Sequence, residues 1–84
     1  MPFTLKSSAR FERDFTRLDR ETQRRIDEFV TELRERPYLG KPTHGELRGK
    51  FSLRIGNYRV IYTINEKEKS VTLIAVGHRR AIYG

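Results

Sequence analysis

The spacing of apolar residues changes once along this chain, near residue 50, and that change limits the folds open to it. Before it, Phe11, Phe15 and Leu18 recur at intervals of four and three, one stripe of a helix over about 8–18. Ser7 and Ser8 offer N-cap oxygens ahead of it. Asp19 can cap a second helix, with Thr22 three residues on, and Ile26, Phe29, Val30 and Leu33 form the stripe that this helix would bury. Pro37 stops it. Two helices joined at Leu18-Asp19 must fold back as an antiparallel hairpin.

After the change the period is two. Phe51, Leu53 and Ile55 alternate with Ser52 and Arg54, and Gly56-Asn57 is a two-residue turn signal. Tyr58, Val60, Tyr62 and Ile64 then alternate, Glu66-Lys67-Glu68-Lys69 makes a charged turn, and residues 70–77 are apolar enough for a central strand. Phe3 and Leu5 mark a short leading strand over 2–6, and the Pro- and Gly-containing stretch 37–50 reads as a loop. The expected fold is α+β: a small antiparallel sheet of about four strands with the helix hairpin on one face.

Length and composition bound the rest. Eighty-four residues make a single domain, 1–84. Without cysteine there is no disulfide framework or thiolate metal site, and two histidines give no basis for a zinc site, so no metal and no cofactor are expected. No apolar run is long enough for a bilayer and no signal-peptide pattern opens the chain, so a cytoplasmic protein with no membrane partner is expected. Thirteen of the eighteen basic residues are arginine. Residues 1–36 hold nine basic and eight acidic side chains, but residues 37–84 hold nine and three, so nearly all of the +7 lies in the second half. Such a concentrated field suits phosphates or an acidic protein partner.

The turn at Gly56-Asn57 also fixes a register. Ile55 sits opposite Tyr58, Leu53 opposite Val60 and Phe51 opposite Tyr62, which gives one apolar face. The same register sets Arg54 directly opposite Arg59 on the other face. Like charges so placed destabilise a sheet, and a bound anion between them would relieve the cost; otherwise they splay into water. With an even-numbered second turn, Val76 lies beside Arg59 and His78 follows on the same face, with Arg79 leaving the strand end. Near the terminus, Ile82 and Tyr83 suggest a tail tied back over the sheet. Neighbouring cations favour a phenolate, so Tyr83 could exchange a proton there, or it simply packs its ring at the sheet edge.

These residues resemble a known family. Leu47-Arg48-Gly49, the run from Phe51 through Arg54, Gly56-Asn57-Tyr58-Arg59 and Tyr62, and Val76-Gly77-His78-Arg79-Arg80 followed by Tyr83 are similar to RelE-type toxins of the RelE/ParE toxin–antitoxin superfamily. The resemblance spans essentially the whole chain and implies the RelE-like microbial RNase fold. It further implies a metal-independent endoribonuclease that cleaves mRNA in the ribosomal A site by attack of the 2′-hydroxyl. Arg59 would hold the scissile phosphate, and Arg79 would stabilise charge or protonate the leaving group. Tyr83 would act as base or stacking platform. Arg48, Lys50, Arg54 and Arg80 would contact RNA. Ser52 stands where the family often has lysine, which leaves His78 and Glu46 as alternative bases; His44 reads as a surface residue. No terminal helix follows Tyr83, which would leave the sheet face open to a cognate RelB-like antitoxin. The competing readings are a ParE-like gyrase inhibitor, against which the Arg79 and Tyr83 ending argues, and a non-catalytic RNA-binding module.

Overall fold

The computed structural model describes residues 2–83, apart from the side chains of Ile82 and Tyr83. In chain order its elements are β1 (Thr4–Ser7), α1 (Ala9–Thr16), α2 (Arg20–Glu32), β2 (Lys41–Pro42), a 3-10 turn at Gly45–Leu47, β3 (Phe51–Ile55), β4 (Tyr58–Asn65), β5 (Ser70–His78) and α3 (Arg79–Tyr83). The α+β class is as expected, but the sheet has five strands in the order β1-β5-β4-β3-β2. The extra strand is the two-residue β2, too short to show any period in the sequence. The sheet is also mixed, because β1 pairs with β5 in parallel. The helix hairpin carries the chain from β1 at one edge of the sheet to β2 at the other.

Both helices start where side-chain oxygens cap them. The Ser8 hydroxyl accepts from the Phe11 N–H at 3.0 Å, and the Asp19 carboxylate accepts from the Thr22 N–H at 2.9 Å. Hydrogen bonding from the Thr22 side chain, and then from its N–H, holds the Asp19 carboxyl below its ordinary range. The apolar stripes meet the sheet as read: Phe11, Ile26, Val30 and Leu33 are buried with Leu53, Ile55, Val60, Tyr62, Val71, Leu73 and Val76 in one core. Phe29 is the exception at 43% exposed, because it sits on the flank of α2 that overhangs the edge of β3 rather than the sheet itself.

Along β5 a bulge interrupts the pairing. Tyr62 pairs with Leu73 but Ile61 pairs with Ala75, so Ile74 has no partner and every later residue changes face. Val76 therefore lies beside Val60 in the core, not beside Arg59, whose partner is Gly77. His78 pairs with Tyr58, on the face opposite the one expected. The bulge is tied to the first helix. The Ser8 hydroxyl, besides capping α1, donates to the Ile74 carbonyl at 2.7 Å, and the Ser8 N–H donates to the Leu73 carbonyl at 2.9 Å.

A buried tyrosine ties the start of the 37–50 loop to the sheet. The Tyr62 hydroxyl donates to the Pro37 carbonyl at 2.8 Å and accepts from the Gly40 N–H at 2.9 Å. Burial pushes this phenol up, partly offset by the Gly40 N–H that it accepts. Only glycine fits at 40, since a Cβ there would lie 2.7 Å from both the Ser52 carbonyl oxygen and the Tyr62 hydroxyl. Nearby, Tyr38 donates to the Glu66 carboxylate, which raises the phenol and lowers the carboxyl. Tyr62→Phe leaves a buried N–H and carbonyl unpaired and is expected to cost about 1–3 kcal/mol in denaturant unfolding. Ser8→Ala removes the cap and the bulge contact together and is expected to cost about as much. Unfolding midpoints equal to wild type in both variants would show that these bonds do not hold the fold.

Candidate nucleic-acid interface

The β3–β4 hairpin turns at Gly56-Asn57, where Gly56 has φ +61° and Asn57 is not left-handed. Glycine at the first central position with a positive φ is the form whose twist matches that of paired strands. The turn fixes the pairs Ile55 with Tyr58, Arg54 with Arg59 and Leu53 with Val60. Directly opposed residues project from the same face, so both arginines stand on the side away from the helices. Arg54 is further tethered to the turn, its Nε donating to the Gly56 carbonyl at 3.3 Å.

Beside this pair lies a groove of about 420 Å³ that runs over the edge of β3, lined by Gly40, Lys41, Ser52, Arg54 and Arg59 with Phe29 and Leu39 opposite. It exists because β2 ends early: Lys41 pairs with Ser52 and Pro42 with Phe51, and no described strand continues alongside Leu53–Ile55. Ser52 is 7% exposed, yet its hydroxyl has no hydrogen-bond partner. A buried hydroxyl normally finds one, so Ser52 is an exception on the wall of this groove. Two guanidinium groups, a lysine and a hydroxyl around one groove suit the oxygens of a phosphate.

The start of α3 lies at the same end of the sheet. The Arg79 N–H donates to the Asn57 carbonyl in the β3–β4 turn at 2.9 Å, so Arg79 leaves β5 two residues beyond the partner of Arg59. Arg79 and Arg80 are both exposed. The tail from Arg79 to Tyr83 forms α3, a single helical turn. The Tyr83 side chain and its proposed closure over the arginines lie outside the described residues.

The other predicted residues fall further off. Arg48 and Glu46 are exposed on and just after the 3-10 turn, and Lys50 is half-buried as its backbone closes the loop with Thr43. Among the described residues no hydrogen bond or ion pair joins any of them to Arg54. His78 points toward Tyr58, its ring 5.9 Å from the tyrosine ring and nearly perpendicular to it. Lys41, by contrast, has a place in the groove that the sequence did not signal, because a two-residue strand in a Pro-containing loop carries no pattern.

A family model described as ParE toxin of type II toxin-antitoxin system, parDE, matches residues 5–83. The chain is 35% identical to Toxin RelG of Mycobacterium tuberculosis over 85 residues, covering 99% of this chain and 98% of that protein. It is 36% identical to Toxin RelE of the same organism over 84 residues, covering 98% and 87%. Among solved structures it is similar to the toxin-antitoxin complex RelBE2 from Mycobacterium tuberculosis, with 33% identity, a TM-score of 0.87 and coverage of 94% of this chain and 100% of that one. It is also similar to the archaeal RelE-RelB complex from Pyrococcus horikoshii, with 26% identity, a TM-score of 0.76 and coverage of 94% and 97%. Matched along nearly its whole length by that model and by named toxins at over a third identity, the chain belongs to the ParE toxin family of type II toxin–antitoxin systems, within the RelE/ParE superfamily.

Proposed function

We propose that this toxin is a ribosome-dependent endoribonuclease that cuts mRNA in the A site. The observation that carries the reading is the directly opposed Arg54 and Arg59 beside the unpaired Ser52 hydroxyl, on the face turned away from the core. Such a face can grip one phosphate while a neighbouring 2′-hydroxyl attacks it. The attacking oxygen forms a bond to phosphorus and loses its proton to a base. The bond to the 5′-oxygen breaks and that oxygen takes up a proton, leaving a cyclic phosphate and a free 5′-hydroxyl.

Each residue then has a task. Arg59, with Arg54 opposite, holds the scissile phosphate and offsets the charge that builds on its oxygens. Arg79 enters from the start of α3 to stabilise that charge or protonate the leaving oxygen. Tyr83 serves as the base or stacks on a splayed nucleobase. Arg48, Lys50 and Arg80, spread over the cationic half, contact RNA further from the cut. The similarity to proteins named Toxin RelG and Toxin RelE supports nuclease action over gyrase inhibition. The family model itself carries the ParE description, so DNA cleavage products are the outcome to test against.

Relatives solved as toxin–antitoxin complexes support a cognate RelB-like antitoxin for this chain too. The excess of nine basic over three acidic residues beyond position 36 suits an acidic antitoxin that covers the same cations as RNA does.

Incubating the toxin with translating ribosomes and mapping mRNA ends tests the function. New 3′ ends within the A-site codon are expected. Arg59→Ala and Arg79→Ala should each lower cleavage by about a hundredfold to a thousandfold while the unfolding midpoint holds. Cleaved DNA in a gyrase assay, RNA bound but never cut, or full cleavage by both variants would each refute the reading.

A further inference from the structure

His78 is the last residue of β5, and after the bulge it shares with Val76 the face turned away from the arginine pair. Its Nδ1 accepts from the Arg80 N–H at 3.3 Å, the second amide of α3. An oxygen or nitrogen acceptor just before a helix, bonded to the second helical amide, is the arrangement of an N-cap. The first amide, that of Arg79, is already taken by the Asn57 carbonyl. Both leading amides of α3 are therefore satisfied, one by the β3–β4 turn and one by the His78 ring. The ring is itself set by edge-on contact with Tyr58, its register partner.

This use of Nδ1 constrains the imidazole. A neutral ring that accepts at Nδ1 carries its proton on Nε2, so it cannot take a second proton without giving up the cap. We infer that His78 is a positioning residue, a proton-sensitive N-cap that holds α3 and with it Arg79 at the hairpin turn, rather than the base of the reaction. Its ring packs against Tyr58 from β4 and meets the Arg80 N–H from α3, Arg59 lies on the other face opposite Gly77, and from α1 the Asp14 carboxylate reaches the Val76 N–H two residues before it at 3.5 Å. Protonation at Nδ1 costs the Arg80 bond. Its consequence for catalysis rests on the nuclease reading above; the cap itself does not.

Nuclear magnetic resonance on the isotope-labelled full chain, from about pH 8 down to pH 5, tests the cap across the range in which imidazoles titrate. At the upper end the ring is expected as the Nε2-protonated tautomer. Towards the lower end the protection of the Arg80 amide, corrected for intrinsic exchange, should fall roughly two- to thirtyfold in wild type. Asn supplies an uncharged cap oxygen, so His78→Asn should keep protection at every pH and His78→Ala at none. The opposite neutral tautomer, or unchanged Arg80 protection in His78→Ala, would overturn the cap. In ribosome cleavage, His78→Asn should rescue the activity lost in His78→Ala and flatten the acid limb of the pH profile. If His78→Asn is as inactive as His78→Ala, His78 transfers protons and the positioning role is wrong. A wild-type toxin that cuts nothing would defeat the nuclease reading alone, since the amide measurements would still decide the cap.

Discussion

The register of one hairpin governs this molecule. Gly56 takes a positive φ at no steric cost, the two-residue turn follows, and every cross-strand pair from Phe51 to Tyr62 is then fixed. A slip of one residue would move Leu53, Ile55, Val60 and Tyr62 out of the core and turn the arginines inward, so burial on one face enforces what the turn begins. The two arginines are thus held opposite each other by apolar residues on the far side of the sheet. Their mutual repulsion is a local cost that the core absorbs.

A second constraint acts on the other side of β4. The bulge at Ile74 reverses the facing of everything after it, sending Val76 into the core and His78 to the side of Tyr58. It leaves Gly77, without a side chain, opposite Arg59. Ser8 links this to the first helix: one hydroxyl caps α1 and pairs with the bulged carbonyl, so helix start and strand irregularity stabilise each other. The reach of α3 toward the hairpin turn depends on where β5 ends, and hence on the same bulge.

How much of this could be read from the chain depends on whether a feature has a local signature. The helix caps at Ser8 and Asp19, the apolar stripes and the opposed arginines all follow from spacing or turn chemistry within a few residues. The Ile74 bulge does not, because Ser70–His78 is apolar on both faces and an extra residue leaves no break in such a run. The facing of His78 was misread for that reason alone. Phe29 fits the helical period of its neighbours, yet it overhangs a strand edge, and only tertiary placement exposes it. Lys41 and the groove depend on a two-residue strand that pairs with Ser52, a contact between segments with no shared pattern. At the site, the cations could be found from charge and register, while the groove that gathers them could not.

The central claim is that Arg54 and Arg59 are kept opposite each other because together they hold a phosphate. Thermal unfolding of wild type and Arg54→Ser, with and without a 2′-deoxy oligonucleotide that cannot be cut and at matched ionic strength, tests it most directly. The account predicts that Arg54→Ser is the more stable protein without ligand, by up to about 1 kcal/mol, and that it loses most of the ligand-induced rise in Tm seen in wild type. Equal stability without ligand together with an equal rise on binding would mean that the two arginines neither strain the sheet nor share an anion, and would contradict it.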